Sequence, residues 1–226
     1  MLYIVSTPIG NLDDLSIRQA KTLISSDIIL AEDTRSAAIL LKACAANFKF
    51  QITNFKLISY YKEKEFEKLP EVIEYLKEGK NVSLISESGT PLISDPGYLL
   101  VKTCIKKNIP FTVIPGPSAV ISSMVLSGFD PSKFMFLGFL PKRENEKLKL
   151  FKKLLSIKEI FPEMSFVFYE SPKRINETLH YINKMGWNPD VVICREITKK
   201  FEEVIRGKAE DLMNKQYKGE ITIIVK

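Results

Sequence analysis

The sequence predicts an α/β protein of two domains, with a mainly parallel sheet in the first and a mixed sheet in the second. Three observations carry that prediction. Short apolar runs alternate with amphipathic helical runs through most of the chain, which is the pattern of βα units. Pro115-Gly116-Pro117 interrupts the series near the middle of a 226-residue chain, a length that one large domain or two ordinary ones would fill. The joint is placed there, giving an N-terminal domain over 1–116 and a C-terminal domain over 117–226. Finally, the last strands of the second half lack long helices between some of their partners, so that half should hold a mixed sheet.

In chain order, the first-half strands are expected at Leu2–Ser6, Ile28–Ala31, Leu57–Tyr60, Val82–Ser86 and Phe111–Ile114. Helical patterns lie between them, among them Thr34–Ala45, Glu71–Glu78 and Tyr98–Lys107, with Gly79 as the C-cap of the second. A helix of small residues, Ser118–Ser127, opens the second half and leads to the strand Phe134–Leu140. A basic loop, Pro141-Lys142-Arg143, and a lysine-rich helix over Glu146–Ser156 follow. The remaining strands are Ser165–Tyr169, Val191–Arg195, Glu203–Arg206 and Ile221–Val225. On the lysine-rich helix, Lys147, Lys149, Lys152 and Lys153 read as a solvated face.

Composition excludes several classes. The three cysteines, Cys44, Cys104 and Cys194, are far apart and odd in number, which argues against disulfide and zinc frameworks and for a reducing cytoplasm. The single histidine, His180, sits in a helical run, so neither a serine-type triad nor a nitrogen-rich metal site is supported, and no metal is expected. No apolar run approaches the roughly 20 residues that span a bilayer, and the N-terminus reads as a first strand rather than a signal peptide. A formal charge of +6 and a pI near 9.0 suit an anionic partner without specifying one.

The loops that follow strands hold the chemistry-bearing residues. They are Ser6-Thr7-Pro8-Ile9-Gly10-Asn11, Glu32-Asp33-Thr34-Arg35, and the stretch from Ser86 through Gly89-Thr90-Pro91 and Ser94-Asp95-Pro96-Gly97 to Tyr98. In the second half they are Glu170-Ser171-Pro172-Lys173-Arg174 and Arg195-Glu196-Ile197-Thr198-Lys199. Each taken singly reads as a helix cap or turn. Taken together they fall at the carboxyl ends of strands, where open α/β sheets bind ligands.

Those segments, with Pro115-Gly116-Pro117-Ser118-Ala119, Gly138-Phe139-Leu140-Pro141 and Lys218-Gly219-Glu220, resemble the ribosomal small-subunit RNA methyltransferase I family, a branch of the tetrapyrrole-methylase-like (class III) methyltransferases. The resemblance runs in order over the whole chain. It implies a ligand cleft between two α/β domains, S-adenosylmethionine as cofactor, and a homodimer. The reaction it implies is methyl transfer to the ribose 2′-oxygen of a cytidine in the decoding region of 16S rRNA, with the 30S subunit or its rRNA as partner. Carried over by position, the cofactor contacts are Pro8, Ser88, Gly89, Thr90, Ile93, Ser118, Ala119, Glu170 and Ile197. The chain departs from the family at Glu87-Ser88, where Asp-Ala is usual, at Ser59–Lys64, which lacks a histidine, and at Lys173, which replaces one. It also stops directly after its last strand, without the C-terminal extension of many members.

Ribose hydroxyls are poor nucleophiles, so a proton acceptor is expected; the candidates are Asp33, Glu170, Glu196 and a lysine of lowered pKa, Lys199, although Lys199 and Arg195 read equally as ion-pair partners of Glu196, Glu202 or Glu203. Arg35, Lys142, Arg143, Lys173 and Arg174 are placed to meet RNA phosphates, with Tyr60, Tyr61 and Phe139 as stacking surfaces. Two other readings remain open at this level: a relative that methylates a small molecule such as a tetrapyrrole, and a non-catalytic RNA- or ribosome-binding protein.

Overall fold

The structure is a computed structural model that describes residues 1–50, 55–184 and 186–226. It divides into two compact units, Met1–Ser118 and Ala119–Lys226.

In the first unit every strand pairing is parallel. The strands β1 (Leu2–Val5), β2 (Ile28–Ala31), β3 (Lys56–Ser59), β4 (Val82–Ile85) and β5 (Phe111–Ile114) stand in the order β3-β2-β4-β1-β5. Parallel neighbours need crossovers, which α1 (Ile17–Ile24), α2 (Thr34–Phe48), α3 (Glu65–Lys77) and α4 (Tyr98–Lys106) supply. One face of the sheet packs Val5, Ile29, Ala31 and Ile85 with Ala20 and Leu23 of α1 and Leu40, Leu41 and Cys44 of α2. The other packs Leu2, Ile4, Leu30 and Leu84 with Val72, Ile73 and Leu76 of α3 and Leu100 and Cys104 of α4. The segments leaving β1 and β2 therefore turn to one face while the segment leaving β4, their common neighbour, turns to the other. That divergence opens a crevice at the carboxyl ends of the strands.

Two elements differ from expectation here. Helix α3 starts at Glu65, not Glu71, and runs through Pro70. A proline ordinarily marks a helix start, but Pro70 lies on the exposed side, and the earlier turn holds Glu65 in place. The carboxylate of Glu65 accepts the backbone N–H groups of Leu99 and Leu100 at 2.9 and 3.2 Å, capping α4 from another helix where its own N-cap, Gly97, has no side chain to do so. Helix α2 likewise runs past Ala45 to Phe48, ending at Lys49 in the left-handed conformation.

The second unit opens with α5 (Ala119–Ser127) and builds a mixed sheet from β6 (Phe134–Phe139), β7 (Ser165–Glu170), β8 (Asp190–Arg195), β9 (Glu203–Lys208) and β10 (Ile221–Val225), in the order β6-β7-β10-β8-β9. Only β6 and β7 pair in parallel; β10 runs antiparallel to β7 and β8, and β9 antiparallel to β8. Strands β6, β7 and β8 consequently end on one edge. The helices α6 (Glu144–Ile160) and α7 (Ile175–Lys184) and the short α8 (Ala209–Leu212) cover the face carrying Phe166, Phe168, Val191, Ile193, Ile221, Ile223 and Val225. Lys147 is wholly buried rather than solvated; its ammonium donates to Glu177 of α7 at 3.0 Å and lies over the Tyr181 ring. The partner stands 30 residues away, so helical periodicity alone does not reveal it.

Candidate functional site

The crevice of the first unit is built by the loops after β1 and β4. Thr7 and Gly89 exchange backbone hydrogen bonds, Thr7 N to Gly89 O at 2.8 Å and Gly89 N to Thr7 O at 3.2 Å, forming an isolated bridge beyond the sheet. The Ser86 hydroxyl donates to Gly89 O at 3.1 Å, and the Ser6 and Thr90 hydroxyls are 3.1 Å apart. Gly89 has φ +83°, and a Cβ there would stand 3.2 Å from Ile9, so both its conformation and its packing call for glycine. Buried Gln19 of α1 extends the same frame, donating to Ser6 O at 2.9 Å and Pro115 O at 3.3 Å. Of the residues assigned to the cofactor by resemblance, Pro8 is buried behind this bridge. Ser88 and Thr90 are half-buried, and Ile93 is exposed between Leu92 and Ser94, both at φ 72°. The structure brings these loops together; Ser118 ends the unit and Ala119 begins the next.

The same edge is acidic. Burial, followed by the carboxylates of Glu32 and Glu87, pushes the Asp95 carboxyl up to about 7. Burial, Glu87 and Glu63 raise Glu32 as well. Sequence reasoning passed over Asp95 because Ser-Asp-Pro-Gly reads as a turn; its neighbours after β2 and β4 are set only by the strand order.

Other predicted residues of this unit are already committed. Asp33 is the N-cap of α2, accepting Arg35 N–H at 2.7 Å, and its carboxylate is gripped by the Arg35 guanidinium at 3.2 and 2.9 Å. Those hydrogen bonds hold Asp33 below the usual carboxylate range, which corrects its expected role as a proton acceptor, and they occupy the fork of Arg35. Tyr60, expected to stack on a base, is wholly buried, with its hydroxyl on Glu65 at 3.4 Å; Tyr61 stays half-buried beside Lys64.

On the edge of the second unit, Glu170 ends β7 with its side chain fully buried. It accepts from Ser171 N at 2.8 Å, Arg174 Nε at 2.7 Å and Thr178 Oγ1 at 2.8 Å, while Arg174 also donates to Leu140 O at 2.9 Å. Glu170 and Arg174 therefore tie the loops after β6 and β7 together, a positioning role rather than the free base and free phosphate ligand expected. Lys142, Arg143 and Lys173 remain exposed on those loops.

The β8–β9 connection is latched. Glu196 and Thr198 take φ of 50° and 64°, a costly conformation for side chains of their kind. Glu196 N–H donates to Glu220 O at 3.0 Å, and its Oε1 accepts Glu220 N–H at 2.8 Å and Lys199 Nζ at 3.2 Å. Gly219, at φ +81°, has no room for a Cβ, which would collide with the Glu196 carboxylate. Burial by itself would lower the Lys199 pKa, but the hydrogen bonds and charges of Glu220 and Glu196 together outweigh it and raise the pKa, opposite to expectation. The Glu220 N–H, more than the opposing burial, holds Glu196 low. Ile197 is buried beside them. No group of three or more His, Cys, Asp or Glu able to hold a metal ion occurs among the described residues.

This pairing of a parallel five-stranded unit with a mixed one defines a class. The family model of the Tetrapyrrole (Corrin/Porphyrin) Methylases matches residues 1–213. The crystal structure of the methyltransferase CobJ superposes with a TM-score of 0.73 at 14% identity, covering 99% of this chain and 92% of that one. The precorrin-6Y methylase of Archaeoglobus fulgidus superposes at 0.61 and 16%, covering 100% and 97%. At such identities the likeness is one of fold. Sequence is more specific. Proteins called ribosomal RNA small subunit methyltransferase I are 41% identical to this chain in Hydrogenobaculum sp. (strain Y04AAS1), covering 99% of it and 94% of the relative, and in Thermotoga maritima, covering 99% and 97%. The chain belongs to the ribosomal RNA small subunit methyltransferase I family, within the tetrapyrrole methylases.

Proposed function

We propose that the protein is an S-adenosylmethionine-dependent methyltransferase that modifies small-subunit rRNA, transferring a methyl group to the ribose 2′-oxygen of a cytidine in the decoding region. The observation that carries this reading is the 41% identity to rRNA small subunit methyltransferases I over 99% of the chain. Charge supports it: by count over the sequence, the second unit holds 19 Lys and Arg against 14 Asp and Glu, so it carries +5 of the total +6. A polyanion suits that imbalance.

The first-unit crevice fits the cofactor. Gly89 fixes the turn that joins the loops after β1 and β4, and the carboxylates of Glu32 and Glu87, with the Asp95 carboxyl beside them, suit a cationic sulfonium. S-adenosylmethionine, when bound, supplies a methyl group open to in-line attack. Pro8, Ser88, Gly89, Thr90 and Ile93 would hold it, with Ser118, Ala119, Glu170 and Ile197 carried into this reading by the family resemblance. The protein's own task is then chiefly to align a ribose hydroxyl. Glu196, kept ionised by Glu220 N–H and Lys199, is the group we assign to accept that hydroxyl's hydrogen bond, with charged Lys199 fixing its carboxylate. Lys142, Arg143 and Lys173 are the proposed phosphate contacts, and a homodimer in the cytoplasm is the proposed working form.

The test is methyl incorporation from labelled S-adenosylmethionine into 30S subunits from a strain lacking its own enzyme, with the modified nucleotide mapped by mass spectrometry. One 2′-O-methylcytidine near the decoding site is expected. Cofactor binding by calorimetry without incorporation would move the reaction to another acceptor, and loss of both would favour a binding protein.

A further inference from the structure

From the second unit alone, and resting on the RNA reading above, we infer that the tip of the β8–β9 loop, Lys200-Phe201, is a preformed stacking platform for unpaired RNA. Phe201 is 65% exposed, although nothing in the fold requires an aromatic there. The loop carrying it is tied at nearly every step. Lys199 N–H donates to Glu196 O at 2.9 Å and Glu202 N–H to Lys199 O at 3.0 Å. Arg195 Nη1 reaches Phe201 O at 3.4 Å while its Nε grips Glu203 at 2.7 Å. The two left-handed residues and the Gly219 contact described above complete the latch. A loop so over-determined does not fold its aromatic inward; it presents it, and little conformational freedom is lost on binding.

Charge selects the occupant. The Lys200 ammonium lies 5.7 Å from the Phe201 ring centroid, so the ring arrives with a cation beside it. Strands β6, β7 and β8 end on this edge, bringing Lys142, Arg143 and Lys173 to the same rim. Phe139, 59% exposed and against Tyr169 at 5.4 Å, ends β6 there. Three strand spacings separate β6 from β8, so the two aromatics bracket a rim of about 15 Å. Exposed aromatics interleaved with cations are what a single-stranded nucleic acid needs, stacking for its bases and charge for its phosphates.

The experiment compares wild type with Phe201→Ala, Phe201→Leu, Phe201→Tyr and Lys200→Ala, using the whole chain and 30S subunits. Methyl-transfer KM and kcat, affinity for the subunit over a range of salt, S-adenosylmethionine affinity by calorimetry, and mass by light scattering are read for each. Phe201→Ala and Phe201→Leu should raise KM for the subunit roughly 5- to 100-fold, the loss expected for one stacked base, with cofactor affinity and mass unchanged. Phe201→Tyr should stay near wild type, and Lys200→Ala should lower the slope of log affinity against log salt by about 0.7. Unchanged KM in Phe201→Ala overturns the inference, as does wild-type KM in Phe201→Leu, which would make the contact merely apolar. A fall in mass in Phe201→Ala also overturns it, by assigning the ring to a second copy of the chain. If wild type itself transfers no methyl group to the subunit while binding the cofactor, the functional reading has failed, an outcome distinct from any of these.

Discussion

Asp95 sits in the loop after β4, where burial and the carboxylates of Glu32 and Glu87 raise its pKa to about 7, well above an ordinary aspartate. The folded state therefore holds a proton that the unfolded chain has released. Its contribution to stability is fully present below the unfolded pKa and is lost as pH rises through 7. Asp95→Asn should consequently stabilise the protein at pH 8, by about 1–2 kcal/mol once partial solvation is allowed for, and should make little difference at pH 4. Urea denaturation at the two pH values checks this; equal midpoint shifts at both would mean that the asparagine acts through packing instead. The residue scale is also where sequence is least legible. Asp33 and Thr34 announce a helix start correctly, but that Asp33 spends its charge on Arg35 is a matter of rotamers. Lys147 reads as surface by its lysine neighbours, and only Glu177 and Tyr181 on α7 explain its burial.

Among the elements, strands were far more legible than the connections that carry function. Alternation marks Phe166 and Phe168, or Ile221, Ile223 and Val225, as one face, because period two is a local property. Helix α3 gains its first turn where the deciding partner is remote, with Glu65 holding α4, and α6 runs Glu144–Ile160 rather than Glu146–Ser156. The β8–β9 loop is the sharpest case. Its shape is held by the hydrogen bonds between Glu196 and Glu220, and the Glu196 carboxylate fills the space that a Cβ at Gly219 would take. Gly219→Ala should cost about 1–3 kcal/mol, from the positive φ and the collision together. Glu196→Ala in the same chain should recover part of that loss, because the obstacle is removed. Chemical denaturation of both single variants and the double variant closes the cycle; strict additivity would show that the two residues do not press on each other.

For the whole molecule, the uneven charge matters most. The first unit is close to neutral by count while the second carries nearly all of the excess. Binding to rRNA should thus depend on salt through second-unit cations. Replacing Lys142 and Arg143 together with alanine should weaken association with 30S subunits and reduce the salt slope by about 1.4 for two lost contacts to single-stranded phosphates. A filter-binding titration from low to moderate salt measures it, and an unaltered slope would remove the basic loop from the interface. S-adenosylmethionine affinity should be untouched.

By itself the sequence determined the class of fold, the run of most strands and helices, the family, and which loops hold the unusual residues. These are written in local periodicity, in turn-forming residues and in short segments kept in order. Only the tertiary structure decided which charges are free. Strand order brings Glu32 to the same edge as Glu87 and Asp95, and sets Glu196 against Gly219. The physical reason is that a side chain's proton affinity and availability depend on neighbours within a few ångströms. Those neighbours come from segments that are tens of residues apart along the chain.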